Sequence, residues 1–165
     1  INTKHKGNKS MKRVKQFITS TIMSLCLFSS SMVLAESVTS NEYQAVVTTA
    51  YNYVNGLANA DQKMLANSFD LDFGHVKMLK INKETQKETI RTVSLKEFAG
   101  SFKEATKDTW QAKVISVDIV DDKMAMVKLD FETPKTYYTD YLVMYKRDNN
   151  WRIINKTFIA KKKYR

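Results

Sequence analysis

The apolar positions of this chain alternate between two periods, and each change of period marks a new kind of element. Tyr43, Val46, Val47, Ala50, Tyr51, Val54, Leu57 and Ala58 recur at three- and four-residue spacing. That puts them on one stripe of an amphipathic helix of about four to five turns. Thr39-Ser40-Asn41-Glu42 fits a capping box at its start, and Gly56 lies near its end. Asn59-Ala60-Asp61-Gln62 opens a second, short helix carrying Met64 and Leu65. Ser94-Leu95-Lys96-Glu97 is a further capping box, ahead of a helix with Leu95, Phe98, Ala99, Phe102 and Ala105 inward.

Elsewhere the period falls to two. Phe69 to Ile81 reads as extended, with Leu71 and Phe73 in one phase, Val76 and Met78 in the other, and a bulge predicted at Gly74. Thr85 to Val93 is its partner. Trp110 to Val120 is a long strand with Ile115, Val117 and Ile119 on one face. Asp121-Asp122-Lys123 turns it into Met124 to Glu132, where Ala125, Val127, Leu129 and Phe131 alternate with Met126, Lys128 and Asp130. Thr133-Pro134-Lys135 turns again. Tyr137 to Phe158 then forms two long strands joined at Asp148-Asn149-Asn150. Helix, helix, strand, strand, helix and a four-strand meander make an α+β layer fold. The predicted sheet is antiparallel, curls around helices on one side into a half-open cone, and encloses a cavity.

Composition changes this picture mainly at the N-terminal end. The formal net charge is +10, yet residues 1–35 hold six of the 27 basic residues and no acid. The rest carries 21 basic against 17 acidic residues, or +4. A nucleic-acid reading from the high pI therefore largely disappears. Met11 to Gln16 is a basic n-region, Phe17 to Leu34 is apolar and uncharged, and Val33-Leu34-Ala35 suits signal peptidase. These features predict a signal peptide over 11–35, removed after Ala35, with residues 1–10 as upstream read-through. Export to a bacterial periplasm or medium follows, with no stable membrane anchor after cleavage. Cleavage removes Cys26, the chain's one cysteine, and with it disulfide and thiol chemistry. The remaining 130 residues are one domain over 36–160 and a basic, solvated tail over 161–165.

Several residues in order carry a resemblance. They are Tyr53-Val54-Asn55-Gly56-Leu57 with Asp61, Phe69, Phe98, Val117-Asp118-Ile119 and Met126-Val127-Lys128-Leu129. Tyr138-Thr139-Asp140-Tyr141-Leu142, Trp151-Arg152-Ile153-Ile154-Asn155-Lys156 and Phe158 complete the set. The chain resembles the nuclear transport factor 2-like (cystatin-like α+β) superfamily, and within it the putative lumazine-binding family. The resemblance implies a cone with a pocket between helices and concave sheet, and a homodimer through the outer sheet. That family commonly has His-Pro-Asp after the phenylalanine matching Phe69. This chain has Asp70-Leu71-Asp72, so no role of that histidine transfers.

Asp140 shares a strand face with Leu142 and Met144, where a carboxylate has a raised pKa and can shuttle protons. The stronger reading of it is structural, as an ion pair with Lys156 or Arg152 on the next strand. Tyr137, Tyr138, Tyr141 and Tyr145 suit either stacking on a flat ligand or strand packing, with Trp110 or Trp151 as a wall. Asp70, Asp72 and His75 are out of phase for a metal site, and no metal or cofactor is expected. One His outside residues 1–35 and the lack of G-x-S-x-G argue against a Ser-His-Asp hydrolase. The leading reading is a binding domain for a small apolar or aromatic molecule, with Tyr51, Trp110, Asp140, Tyr141, Asn155 and Lys156 at the pocket. The alternatives are an isomerase- or dehydratase-like enzyme using Asp140 as general base, and a dimeric interaction module with a filled pocket.

Overall fold

The computed structural model describes residues 40–164. The signal peptide, Cys26 and Thr39 of the first capping box lie outside the described residues. Helix α1 (Ser40–Asn59) is followed by α2 (Gln62–Ser68), β1 (His75–Ile81), β2 (Glu88–Ser94) and α3 (Leu95–Gly100). The meander is β3 (Gln111–Val120), β4 (Met124–Glu132), β5 (Thr136–Arg147) and β6 (Asn150–Lys162). Together the strands form one curved, open sheet in the order β2-β1-β6-β5-β4-β3. The fold is α+β, and the sheet is mixed: β1 runs parallel to β6, while every other pairing is antiparallel. The β1–β2 hairpin precedes the meander in sequence but docks beside its last strand, which makes that junction parallel.

The short helices begin as their sequences require. Asp61 caps α2 by accepting from Met64 N, and Ser94 caps α3 by accepting from Glu97 N. Glu42 of α1 is drawn across to the sheet, where Lys146 Nζ lies 2.6 Å and Trp151 Nε1 2.8 Å from its carboxylate. Two hairpins turn through paired left-handed residues, Asp121-Asp122 in the three-residue β3–β4 connection and Asp148-Asn149 in the two-residue β5–β6 connection, the latter as a type I′ turn demands.

Three strand expectations are corrected. Phe69 to Ile81 is not one extended run. Asp70 Oδ1 accepts from Asp72 N and Phe73 N, closing a turn, and β1 starts only at His75. Gly74 serves close approach instead of a bulge: a Cβ there would lie 2.3 Å from Leu95 Cδ1 and 2.5 Å from Asp70 O. In β3 the bulge falls between Val114 and Ser116, so Ile115 leaves the face it was assigned and is 44% exposed. Val114 and Val117 both pack against the core. At the C-terminal end, β6 runs on through Lys162, and Lys163 Nζ bonds Glu132 at 2.9 Å, so most of the expected tail is ordered.

The core lies between the helices and one sheet face. Val46, Ala50, Tyr53, Val54 and Leu57 of α1 meet Ala125, Val127, Leu129, Phe131, Leu142, Met144 and Ile153. Alternation along β4 and β5 sends the intervening residues to the other face.

Candidate functional site

Three polar side chains are buried in that core. Asp140 is 0% exposed, Tyr53 0% and Lys156 2%. Strand register places the first and last together. Asp140 lies between Leu129 and Phe158, and Lys156 lies between Leu142 and Val76, one diagonal step away on the helix-facing side. Tyr53 reaches the same point from α1, because residues 46, 50, 53 and 57 form one stripe. Tyr53 Oη and Lys156 Nζ both donate to Asp140 Oδ2 at 2.7 Å, and Oδ1 has no hydrogen-bond partner among the described residues.

Aromatic rings surround this cluster. Lys156 Nζ lies 3.9 Å from the centroid of Phe158 and 5.5 Å from that of Tyr53. A ladder of rings continues outward: Tyr138 is 6.1 Å from Phe158, Phe131 stacks on Tyr138 at 4.5 Å, and Trp110 stacks on Phe131 at 5.8 Å. Burial pushes Asp140 above the usual carboxylate range, against the opposing pull of Lys156 and Tyr53. Burial also lowers Lys156 to about 8, against the attraction of Asp140. Tyr53 is held well above its ordinary value by burial and by the adjacent carboxylate. Both members of the ion pair are thus displaced toward their neutral forms, which brings proton transfer between Nζ and Oδ2 within reach.

The residues singled out from sequence divide between the two sheet faces. Asp140 and Lys156 meet. Trp110, half-buried, joins the same aromatic ladder. Tyr51 touches the sheet at β3, where its hydroxyl accepts from Val114 N at 3.4 Å, apart from the cluster. Tyr141 faces outward, 44% exposed, with Lys128 Nζ 5.9 Å from its ring. Asn155 pairs with Val143 and His75 on that outer side, and its Oδ1 has no partner among the described residues. Tyr53 was missed, although its place in the stripe of Val46, Ala50 and Leu57 was readable.

The cavities described lie elsewhere. One of about 310 Å³ is lined by Gln111, Lys113, Asp130, Glu132, Tyr137 and Thr139, which share the outer face, together with Phe131 and Tyr138. Another of about 670 Å³ runs between α1 and the start of β6, past Gln44, Thr48, Asn52 and Arg152. Neither is lined by Tyr53, Asp140 or Lys156.

Comparison with known proteins agrees with this architecture. The aldolase FrzH of a Cladobotryum species is 32% identical over 130 residues, spanning 76% of this chain and 96% of that protein. A nuclear transport factor 2-like protein of unknown function from Shewanella baltica superposes with a TM-score of 0.61 at 18% identity, over 75% of this chain and 98% of that one. A ketosteroid isomerase-like protein from Erwinia carotovora atroseptica gives 0.54 at 12%, over 74% and 98%. At those identities the two structures speak for the fold alone. The match to the family described as putative lumazine-binding runs over residues 41–159, and the chain belongs to that family.

Proposed function

We propose that this domain binds a small organic molecule in the cavity of about 310 Å³ at Phe131 and Tyr138, and that Asp140, two residues along β5 from Tyr138 and on the same face, moves a proton at a carbon beside the ligand's carbonyl. The reading is supported by one observation: a buried carboxylate holds a tyrosine and a lysine on one oxygen, while its other oxygen has no hydrogen-bond partner among the described residues. Tyr53 Oη and Lys156 Nζ are donors able to polarise a carbonyl oxygen, and Asp140 is an acceptor whose raised pKa suits a general base. Family membership supports small-molecule binding, and a relative named as an aldolase supports carbonyl chemistry.

The test is deuterium exchange. In D2O the protein should accelerate loss of the α-protons of 4-phenylbutan-2-one, followed by NMR, and Asp140→Asn should abolish the acceleration. An exchange rate equal to that of buffer, with no thermal shift on adding the ketone, would sink the proposal.

The outer face favours a further reading, self-association. Val120, Met124 and Tyr145 lie side by side across β3, β4 and β5, 45%, 38% and 46% exposed, and Met126 follows in the next row at 49%. We infer a homodimer through this apolar face. Light scattering behind size exclusion should give twice the chain mass, falling to one with Met126→Glu. The charge pattern of residues 11–35 likewise supports export, which N-terminal sequencing after expression with its leader would check at Glu36.

A further inference from the structure

A buried lysine needs an explanation that a buried apolar residue does not. Lys156 occupies a strand position flanked by Val76 and Leu142, both 0% exposed, where Leu or Met would satisfy packing. Charged, it must be desolvated at a cost that its carboxylate partner Asp140 only partly offsets. Burial favours its neutral amine, while the faces of two aromatic rings at 3.9 and 5.5 Å and the Asp140 carboxylate at 2.7 Å favour the ammonium, and that same carboxylate is placed to take its proton. Phe158, whose ring lies over Nζ, and Tyr138 beside it are only partly buried, and Tyr138 also lines the cavity of about 310 Å³.

We propose that Lys156 is a nucleophile that forms an imine with a ligand carbonyl, its proton being held meanwhile by Asp140. This rests on the carbonyl reading above and gives it a covalent form. The step balances without an added reagent. Nζ passes a proton to Asp140 Oδ2, and the freed lone pair attacks the carbonyl carbon while the C=O electron pair moves to oxygen. A proton shift from nitrogen to that oxygen gives the neutral carbinolamine. Asp140 returns its proton to the hydroxyl, which departs as water and leaves a protonated imine beside a carboxylate. The charges match those of the starting ion pair. The carboxylate then faces an α-carbon acidified by the iminium, so one pair of residues supplies both nucleophile and base.

With Lys156 near 8 against 10.5 for an ordinary lysine, its neutral fraction at pH 7 is on the order of a hundredfold larger. The full chain is incubated with 4-phenylbutan-2-one and sodium cyanoborohydride at pH 7, digested and mapped by mass spectrometry. The expected result is reductive alkylation at Lys156 exceeding that at any exposed lysine, lost in Lys156→Arg, which keeps the cation and the donor but cannot form an imine. Phe158→Ala, which removes the ring over Nζ, should raise the labelling rate several-fold. Label confined to exposed lysines in both the parent protein and Phe158→Ala overturns the proposal. So does α-proton exchange that persists undiminished in Lys156→Arg, an outcome that leaves the general-base reading standing. Absence of exchange, thermal shift and label together removes both.

Discussion

Replacing the buried ion pair by apolar residues should stabilise the fold, although breaking it from either side should weaken it. The cycle is best run in a Tyr53→Phe background, so that no tyrosine hydroxyl is orphaned when Asp140 is lost. Lys156→Met leaves a carboxylate with 0% exposure and no cation, and Asp140→Val leaves an unpaired ammonium with 2%. Each should cost about 3–5 kcal/mol near neutral pH, a large part of the roughly 5–15 kcal/mol that holds such a domain together. The double replacement should instead be neutral or stabilising by about 1–4 kcal/mol. The structure supplies the reason. Lys156 is lowered from 10.5 to about 8, and at about 1.4 kcal/mol per pH unit its charged form weighs roughly 3 kcal/mol against the folded state. Asp140, raised by burial, adds a penalty of the same sign. The sign fixes the pH dependence. A base with a depressed folded pKa contributes stability that is present above 10.5 and lost as pH falls through about 8, so the double variant's advantage should shrink between pH 8 and 10. In Lys156→Met the lone acid has its raised pKa, and its contribution is present at low pH and lost as pH rises, so that variant should be less impaired at pH 5 than at pH 8. Urea unfolding followed by the fluorescence of Trp110 and Trp151 measures all four corners. A double variant destabilised by the sum of the two singles would refute the reasoning, because the residues would then contribute independently.

Three further substitutions probe how the site is held in place. Gly74→Ala should lower stability by about 1–3 kcal/mol, since the new methyl meets Leu95 Cδ1 and the Asp70 carbonyl at 2.3 and 2.5 Å, and thermal melting would show it. Asp70→Ala removes the acceptor that closes the 70–73 turn and the partner of Arg147, and should cost about 1–3 kcal/mol with the loss concentrated in early amide exchange of β1. Asp61→Ala uncaps α2 and should cost about 1 kcal/mol in urea unfolding, while Asp61→Asn should retain most of the stability.

The sequence by itself determined the element order, because every cue for it is local. Period-3.6 and period-2 patterns separated helices from strands, Asp61 and Ser94 marked helix starts, and Asp121-Asp122 and Asp148-Asn149 marked hairpins. Alternation along β5 also put Asp140 on the face of Leu142 and Met144, where it lies. What failed locally was phase. A single extra residue at Ile115 reverses which side chains face inward, and a side-chain turn at Asp70 consumes residues that alternate convincingly as a strand. Only the tertiary structure decided the site. The parallel docking of β1 on β6 covers Lys156 with Val76, and the packing of α1 brings Tyr53 to a carboxylate 87 residues away. Tyr141 and Asn155, neighbours of the cluster in sequence, fall on the opposite face because a strand turns each successive side chain over. Burial of Asp140, and the proton affinity that comes with it, is a property of everything packed around it and is written in no one segment of the chain.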